Sequence, residues 1–421
     1  MKKSFKSLLK ACFSGLMASA LVAGASLPMV HAQDVTLSYA SWDKDQAIGL
    51  RKVLDAFEAA NPGIKVEMET SPWDQYWTKM EAAATGGNLP DIVTMHSAES
   101  YKYMSNNMLM NLDEIIAQNN IDMSTFAAGI EDFYKYEGST YAIPKDASVV
   151  ALWYNKKLFD EAGLDYPNAD WTWDDLLEAA KALTNPDTGV YGFGVSNNNE
   201  VGFWPFLFQA GGTVYSEDGS KSTYNTPEVI EALQFYADMI NVHKVSPAAT
   251  VMQETPKSAL FQAGKLAMII EGNWHTAPFI ANDYTRENAG VAVLPKGPKQ
   301  QATVVNGLGW AVSAQTKHPE EAAKLIAFLA SDEANKIQAE TGVSIPAKNG
   351  YADEYINSMD AFDLSAFEEM LAYGVARPYI PQALNAEAIE SEVLDLVLSG
   401  QKTPAEGAAE IEARVNALLG N

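Results

Sequence analysis

Apolar residues at Val35, Leu37 and Tyr39 alternate with polar neighbours, a period of two that turns one side of a strand toward a core, and the alternation stops at Ser41-Trp42-Asp43. The period then lengthens. Leu50, Val53, Leu54 and Phe57 recur at i, i+3, i+4 and i+7, one face of an amphipathic helix that Asn61-Pro62-Gly63 breaks. Ile64, Val66 and Met68 restart the alternation, a second helix is expected from residue 73 to about 84 before Gly86-Gly87, and residues 92–95 form a third short strand. This β-α-β-α-β order implies parallel strands joined by right-handed crossovers, with helices on both faces.

Farther along, Pro144-Lys145-Asp146 reads as a polar turn, and the apolar run 149–154 that follows suits a fully buried strand leading into a helix closed by Gly163. Helices are expected near 173–183, 227–243 and 258–263, and an apolar strand at 265–270 leads into Glu271-Gly272-Asn273-Trp274. A short apolar run at 291–294 lies between Gly290 and Pro295, and the cluster Gly307-Leu308-Gly309 marks another change of direction. One long helix from 319 to about 339 and a helical tail from 383 to 419 complete the chain, which carries no repeat and no low-complexity linker.

The first residues are of another kind. Lys2, Lys3, Lys6 and Lys10 precede an apolar stretch from Ala11 to about Val30, Val30-His31-Ala32 offers small residues at the positions a signal peptidase reads, and no acidic residue occurs before Asp34. Residues 1–32 are therefore expected to be an export signal cleaved near Ala32; a membrane anchor is the alternative, disfavoured by the short core. The single cysteine, Cys12, lies inside that signal in an order that does not fit a lipoprotein site. The mature chain then holds neither a disulfide nor a thiolate metal site, as suits a periplasmic protein.

Net charge is −25, and more negative once the signal lysines are gone, so the surface repels phosphate backbones and no nucleic-acid partner is expected. A neutral or cationic ligand is favoured instead. The mature length exceeds one ordinary core, and two domains are expected.

Five segments carry a resemblance. They are residues 141–163, residues 87–96, residues 261–274, the pair Gly307-Leu308-Gly309-Trp310 with 317–322, and Ser344-Ile345-Pro346-Ala347. In this order they are similar to the extracellular solute-binding proteins that feed sugar importers of the ATP-binding-cassette type, the group that includes maltose-binding protein. The resemblance implies an α/β periplasmic-binding-protein fold of two discontinuous lobes, 33–145 plus 307–345 and 146–306 plus 346–421, hinged about a ligand cleft. Ligands in open α/β sheets lie beyond the carboxyl ends of strands, so facing lobes share one site. It also implies a carbohydrate ligand, most simply a neutral oligosaccharide, a membrane permease as partner, a monomer, no cofactor and no metal.

Sugars present apolar C–H faces and rims of hydroxyls, which aromatic rings and carboxylates or amides respectively recognise. Trp42 and Asp43 end the first strand and are candidates for a stacking ring and a hydroxyl acceptor, against a surface aromatic beside a helix cap. Trp73 opens a helix and is either a ring for the ligand or a staple on the next turn. His96 and Glu99 follow the third strand, where similar proteins place an acidic sugar ligand, although the fit is loose by one residue. Asp146 and Ser148 lie in the first crossing, facing the cleft in similar folds; a turn-capping aspartate is the alternative. Trp274 is the strongest candidate, since the family places a stacking aromatic there. Gly309 and Trp310 follow, the glycine allowing close backbone approach, and Arg377 is either a fork to sugar hydroxyls or a salt bridge. Trp153 and Trp204 read as core.

Other readings stay open at this point. Asp43 with Glu99 or Asp146 could form a glycosidase acid–base pair, but no Gly-x-Ser-x-Gly, His-Glu-x-x-His or phosphate loop occurs and the histidines are scattered. A glycerol-phosphate binder on the same fold would need several basic donors. A polyamine binder would need an aromatic box with carboxylates, and both ingredients are present.

Overall fold

The computed structural model describes residues 34–42, 44–127 and 129–421, so the proposed export signal and Asp43 lie outside the described residues. Strand β1 (Val35–Ser41) pairs in parallel with both β2 (Ile64–Thr70) and β3 (Ile92–His96). Between them, α1 (Lys44–Ala60) buries Leu50, Val53, Leu54 and Phe57, the residues its periodicity singled out. The next helix, α2 (Trp73–Gly86), stops where Gly87 takes a left-handed φ of 71°, a conformation that costs glycine nothing.

Two more strands finish this sheet, in the order β2, β1, β3, Leu308–Val312, Ala142–Pro144. Leu308–Val312 runs antiparallel to both its neighbours, β3 and Ala142–Pro144, so the parallel expectation holds only for β1 to β3. The reason is topological: parallel neighbours need a long crossover, whereas Ala142–Pro144 leaves for a second sheet and Leu308–Val312 returns from it by short crossings.

That second sheet is built around Ser148–Asn155, buried along its length except at Tyr154. It pairs antiparallel with Leu266–Gly272, Ala289–Ala292 and Thr303–Asn306, while Tyr191–Phe193 and Gly374–Ala376 add parallel edges. Trp153, fully buried, packs edge-on to Phe279 and Phe362 at 4.8 and 5.2 Å.

Two helical expectations need correction. The helix expected over 319–339 is two, Pro319–Leu329 and Asp332–Glu340, because Ser331 accepts the Ala334 N–H at 3.2 Å and starts a new helix. The tail likewise divides into Ala383–Leu398 and Pro404–Leu419. Gly400 turns left-handed at φ 74°, and Thr403 and Glu406 form a capping box with Pro404 in the first turn. In the first case the apolar period runs on through the break, which hides it; in the second the polar run 399–404, with Gly400, Thr403 and Pro404 and then Glu406, is a stop and start signal that the expectation of one tail passed over.

The chain passes between the sheets at residues 145–147, at Gly307 and near 344–347, and these crossings bond to one another. Lys145 N–H donates to the Leu308 carbonyl at 2.7 Å, Ala147 N–H to Ile345 at 2.9 Å, and Ala347 N–H to Lys145 at 3.2 Å.

Candidate functional site

A cavity of about 350 Å³ opens between the sheets over these crossings. Strand ends supply its walls. Trp42 follows β1, His96 ends β3 and Trp73 opens α2, and the three meet at that edge. Trp42 stands edge-on to Trp73 at 5.0 Å and to Tyr76 at 5.1 Å, and Trp73 lies 5.2 Å from His96. Trp73 also packs on Trp77 at 5.6 Å, so it is a staple on its own helix and yet 43% exposed in the cavity. Edge-to-face packing fixes these rings while leaving faces uncovered.

Trp274 occupies the opposite wall, beyond the strand Leu266–Gly272. Its ring lies over Gly272, where an added Cβ would sit 2.0 Å from Trp274 Cζ3, so only glycine admits this placement. The Asn273 amide oxygen accepts the Val149 N–H at 3.0 Å and ties the loop to the central strand. Glu271 is buried beside it, 3.6 Å from Lys257 Nζ and 3.1 Å from His275 Nδ1. Burial alone would raise this carboxyl, but His275 and Lys257 hold it below the usual range.

Asp146 lines the cavity floor, but its oxygens serve the fold. Asp146 and Lys145 are each 1% exposed; Oδ2 takes the Lys145 ammonium at 2.6 Å and Oδ1 the Leu308 N–H at 2.9 Å. Ser148 Oγ sits 3.5 Å from Oδ1, and Lys145 also reaches Gln46 at 3.2 Å. Asp146 thus clamps two crossings together.

His96 is half-buried at the cavity wall, and burial, then the nearby Arg377 charge, pushes its pKa well below the usual value. Its Nδ1 accepts the Ala98 N–H at 3.2 Å and its Nε2 lies 3.0 Å from the Asn306 amide nitrogen. Asn306 bonds Ser97 Oγ and the Gly307 N–H through its oxygen, both at 2.8 Å.

Glu99 and Arg377 fall outside this cavity. They line an adjoining one of about 390 Å³ that shares Trp73, His96, Asn198 and Glu200. Arg377 is a buried ion-pair centre rather than a free fork: Nη2 meets Glu387 at 2.5 Å, Nε lies 3.4 Å from Glu200, and the guanidinium sits 5.5 Å over the Trp204 ring. Burial pushes the Glu99 carboxyl up to about 7.

Gly309 and Trp310 require correction. An added Cβ at Gly309 would meet the Ala142 Cβ and the Tyr134 ring, both at 2.9 Å, so the glycine serves packing within the sheet. Trp310 has no exposed surface and packs with Leu37, Phe57 and Leu325. The strand leaves the cavity at Leu308, which does line it, and each two-residue step carries the chain about 7 Å inward. Trp204 is fully buried too.

Sequence reasoning missed Gln46, Asn198, Glu200, Asn273, His275 and Asn306, all of which line the cavity. Asn273 and His275 flank Trp274, and Asn306 ends a strand before Gly307, so a rule that strands deliver their last residues to the cleft would have reached them. Asn198 and Glu200 sit at a π-type turn, Asn199–Phe203, which has no sequence period. Among the described residues no group of three His, Cys, Asp or Glu could hold a metal, and no helix is long and apolar enough to cross a membrane.

Known proteins resemble this chain over most of its length. The family model described as bacterial extracellular solute-binding protein matches residues 43–336. A Brucella abortus (strain 2308) protein, whose name specifies binding but no ligand, is 28% identical over 416 residues, 95% of this chain and 97% of that relative. The arabinooligosaccharide-binding protein of Halalkalibacterium halodurans is 26% identical over 65% of this chain and 62% of its own length. Among solved structures, a substrate-binding protein of Listeria monocytogenes in complex with cycloalternan superposes with a TM-score of 0.85 at 29% identity, covering 92% of this chain and all of that one.

Proposed function

The chain belongs to the bacterial extracellular solute-binding protein family, and on that premise we propose that it binds a neutral oligosaccharide in the cavity between its sheets and delivers it to the permease of an ATP-binding-cassette importer. One observation carries this reading: tryptophans approach a single cavity from both walls, Trp42 and Trp73 on one and Trp274 on the other. Rings cover the C–H faces of a sugar, and the amides and carboxylates between them take its hydroxyls. The sugars named for the Listeria and Halalkalibacterium relatives support the same ligand class.

A phosphate-bearing ligand fits less well. Lys145, Lys257 and Arg377, the cations packed behind the cavity walls, are each engaged by a carboxylate, Asp146, Glu271 and Glu387 respectively. Lobes 33–145 plus 307–345 and 146–306 plus 346–421 close about the crossings, so that contacts from both walls form together only in the closed state; that differential affinity lets binding act as a signal. Export with cleavage near Ala32, a periplasmic location, action as a monomer and the absence of catalysis complete the proposal.

Titration calorimetry against maltotetraose, arabino- and galacto-oligosaccharides and glycerol 3-phosphate tests it, with chromatography of the recovered ligand. Saturable binding of a neutral oligosaccharide recovered intact is the expected result. Binding of glycerol 3-phosphate alone, or a hydrolysed sugar, contradicts it. On the same scale Gly272→Ala, which drives a methyl into the Trp274 ring, is expected to weaken binding about tenfold while leaving the far-ultraviolet circular dichroism unchanged.

A further inference from the structure

Four consecutive polar residues, Asn197, Asn198, Asn199 and Glu200, lead into the turn Asn199–Phe203. Asn198 and Glu200 line the main cavity. Asn197 and Asn199 bond back to the helix Ala383–Leu398: Asn197 Nδ2 donates to Ser391 Oγ at 3.1 Å and Asn199 Nδ2 to Glu390 Oε2 at 2.7 Å. The turn is not a conformation a helix adopts unaided, since Val201 stands at φ −101° and ψ 22° inside it, and Asn198 Oδ1 closes it by accepting the Val201 N–H at 2.9 Å.

Glu390 is fully buried and no part of its helix lines the main cavity. Three donors converge on its Oε2: Asn199, the Tyr224 hydroxyl at 2.6 Å and Trp204 Nε1 at 3.2 Å. Its Oε1 has no hydrogen-bond partner. Burial pushes this carboxyl up to about 8, which favours the protonated form at neutral pH, with Oε2 as the accepting oxygen. A neutral acid with one accepting oxygen has the shape and valence of a glutamine.

We propose that Glu390 is a positioning residue for the cleft: through Asn199 it fixes the turn that presents Asn198 and Glu200, so a helix outside the main cavity sets how tightly the ligand is held. The proposal rests on the reading of the cavity as a saccharide site, and its test has one readout that needs no ligand. Glu390→Gln, Glu390→Ala, Asn199→Ala and the double alanine variant are compared by amide hydrogen exchange at Val201 and Phe203 in the ligand-free protein, and by calorimetry with the tightest-binding saccharide.

Glu390→Gln is expected to match the parent. Glu390→Ala and Asn199→Ala are each expected to speed exchange in the turn and weaken binding about tenfold, and the double variant to lose no more than either single one. Unchanged exchange, affinity within about twofold of the parent, or additive losses overturn the proposal. If Glu390→Ala fails to fold, Asn199→Ala decides alone. If the parent binds no saccharide, the functional reading falls while the exchange data still judge the anchor.

Discussion

Trp274→Ala is expected to weaken binding of the best saccharide by about 2 kcal/mol, near thirtyfold in Kd, as truncation of a central aromatic anchor does. The ring lines the cavity and is only partly buried, lying over Gly272 with its wall fixed by Asn273. Because it is not a core side chain like Trp153 or Trp204, which have no exposed surface, its loss leaves the urea midpoint close to that of the parent. Calorimetry and urea unfolding on the same preparation check both halves. An unchanged affinity removes Trp274 from the site.

Asp146→Ala carries the largest expected stability effect, a loss of about 3–5 kcal/mol in urea unfolding. It strands the Lys145 ammonium, 1% exposed, without its carboxylate and deprives the Leu308 N–H of its acceptor. Removing one partner of a buried pair costs more than the pair contributes, because the remaining charge has lost its compensation. Replacing both residues together, Lys145→Met with Asp146→Leu, therefore recovers much of the loss. A single-variant loss under about 1 kcal/mol would show that the two crossings do not depend on this clamp.

Local periodicity made most of the secondary structure legible. The alternation at Val35–Ser41 and the spacing of Leu50, Val53, Leu54 and Phe57 each match an observed element, because the same face stays buried along it. The break at Ser331 was hidden because the apolar spacing continues across it, whereas the break after Gly400 was legible in Thr403-Pro404-Ala405-Glu406 and was passed over. Trp42 was singled out by its place at a strand end, and Trp274 and His96 by the family resemblance; all three line the cavity, as strands that deliver their last residues to a cleft require.

The same rule fails one step away. Trp310 follows Gly309 into the lobe interior, and strand direction, which decides this, depends on pairing with β3 that no local pattern reveals. Arg377 stayed between a fork and a salt bridge in the sequence, because its partners Glu200 and Glu387 come from distant segments that only the fold assembles. Asn198 and Glu200 were missed because a π-type turn has no repeat to read.

The most direct test of the whole account is a crystal structure of the protein with the tightest-binding saccharide. Sugar rings are expected between Trp274 on one wall and Trp42 and Trp73 on the other, with the two sheets closer together than without ligand. A sugar bound elsewhere on the surface, with the cavity between the sheets left empty, would contradict it.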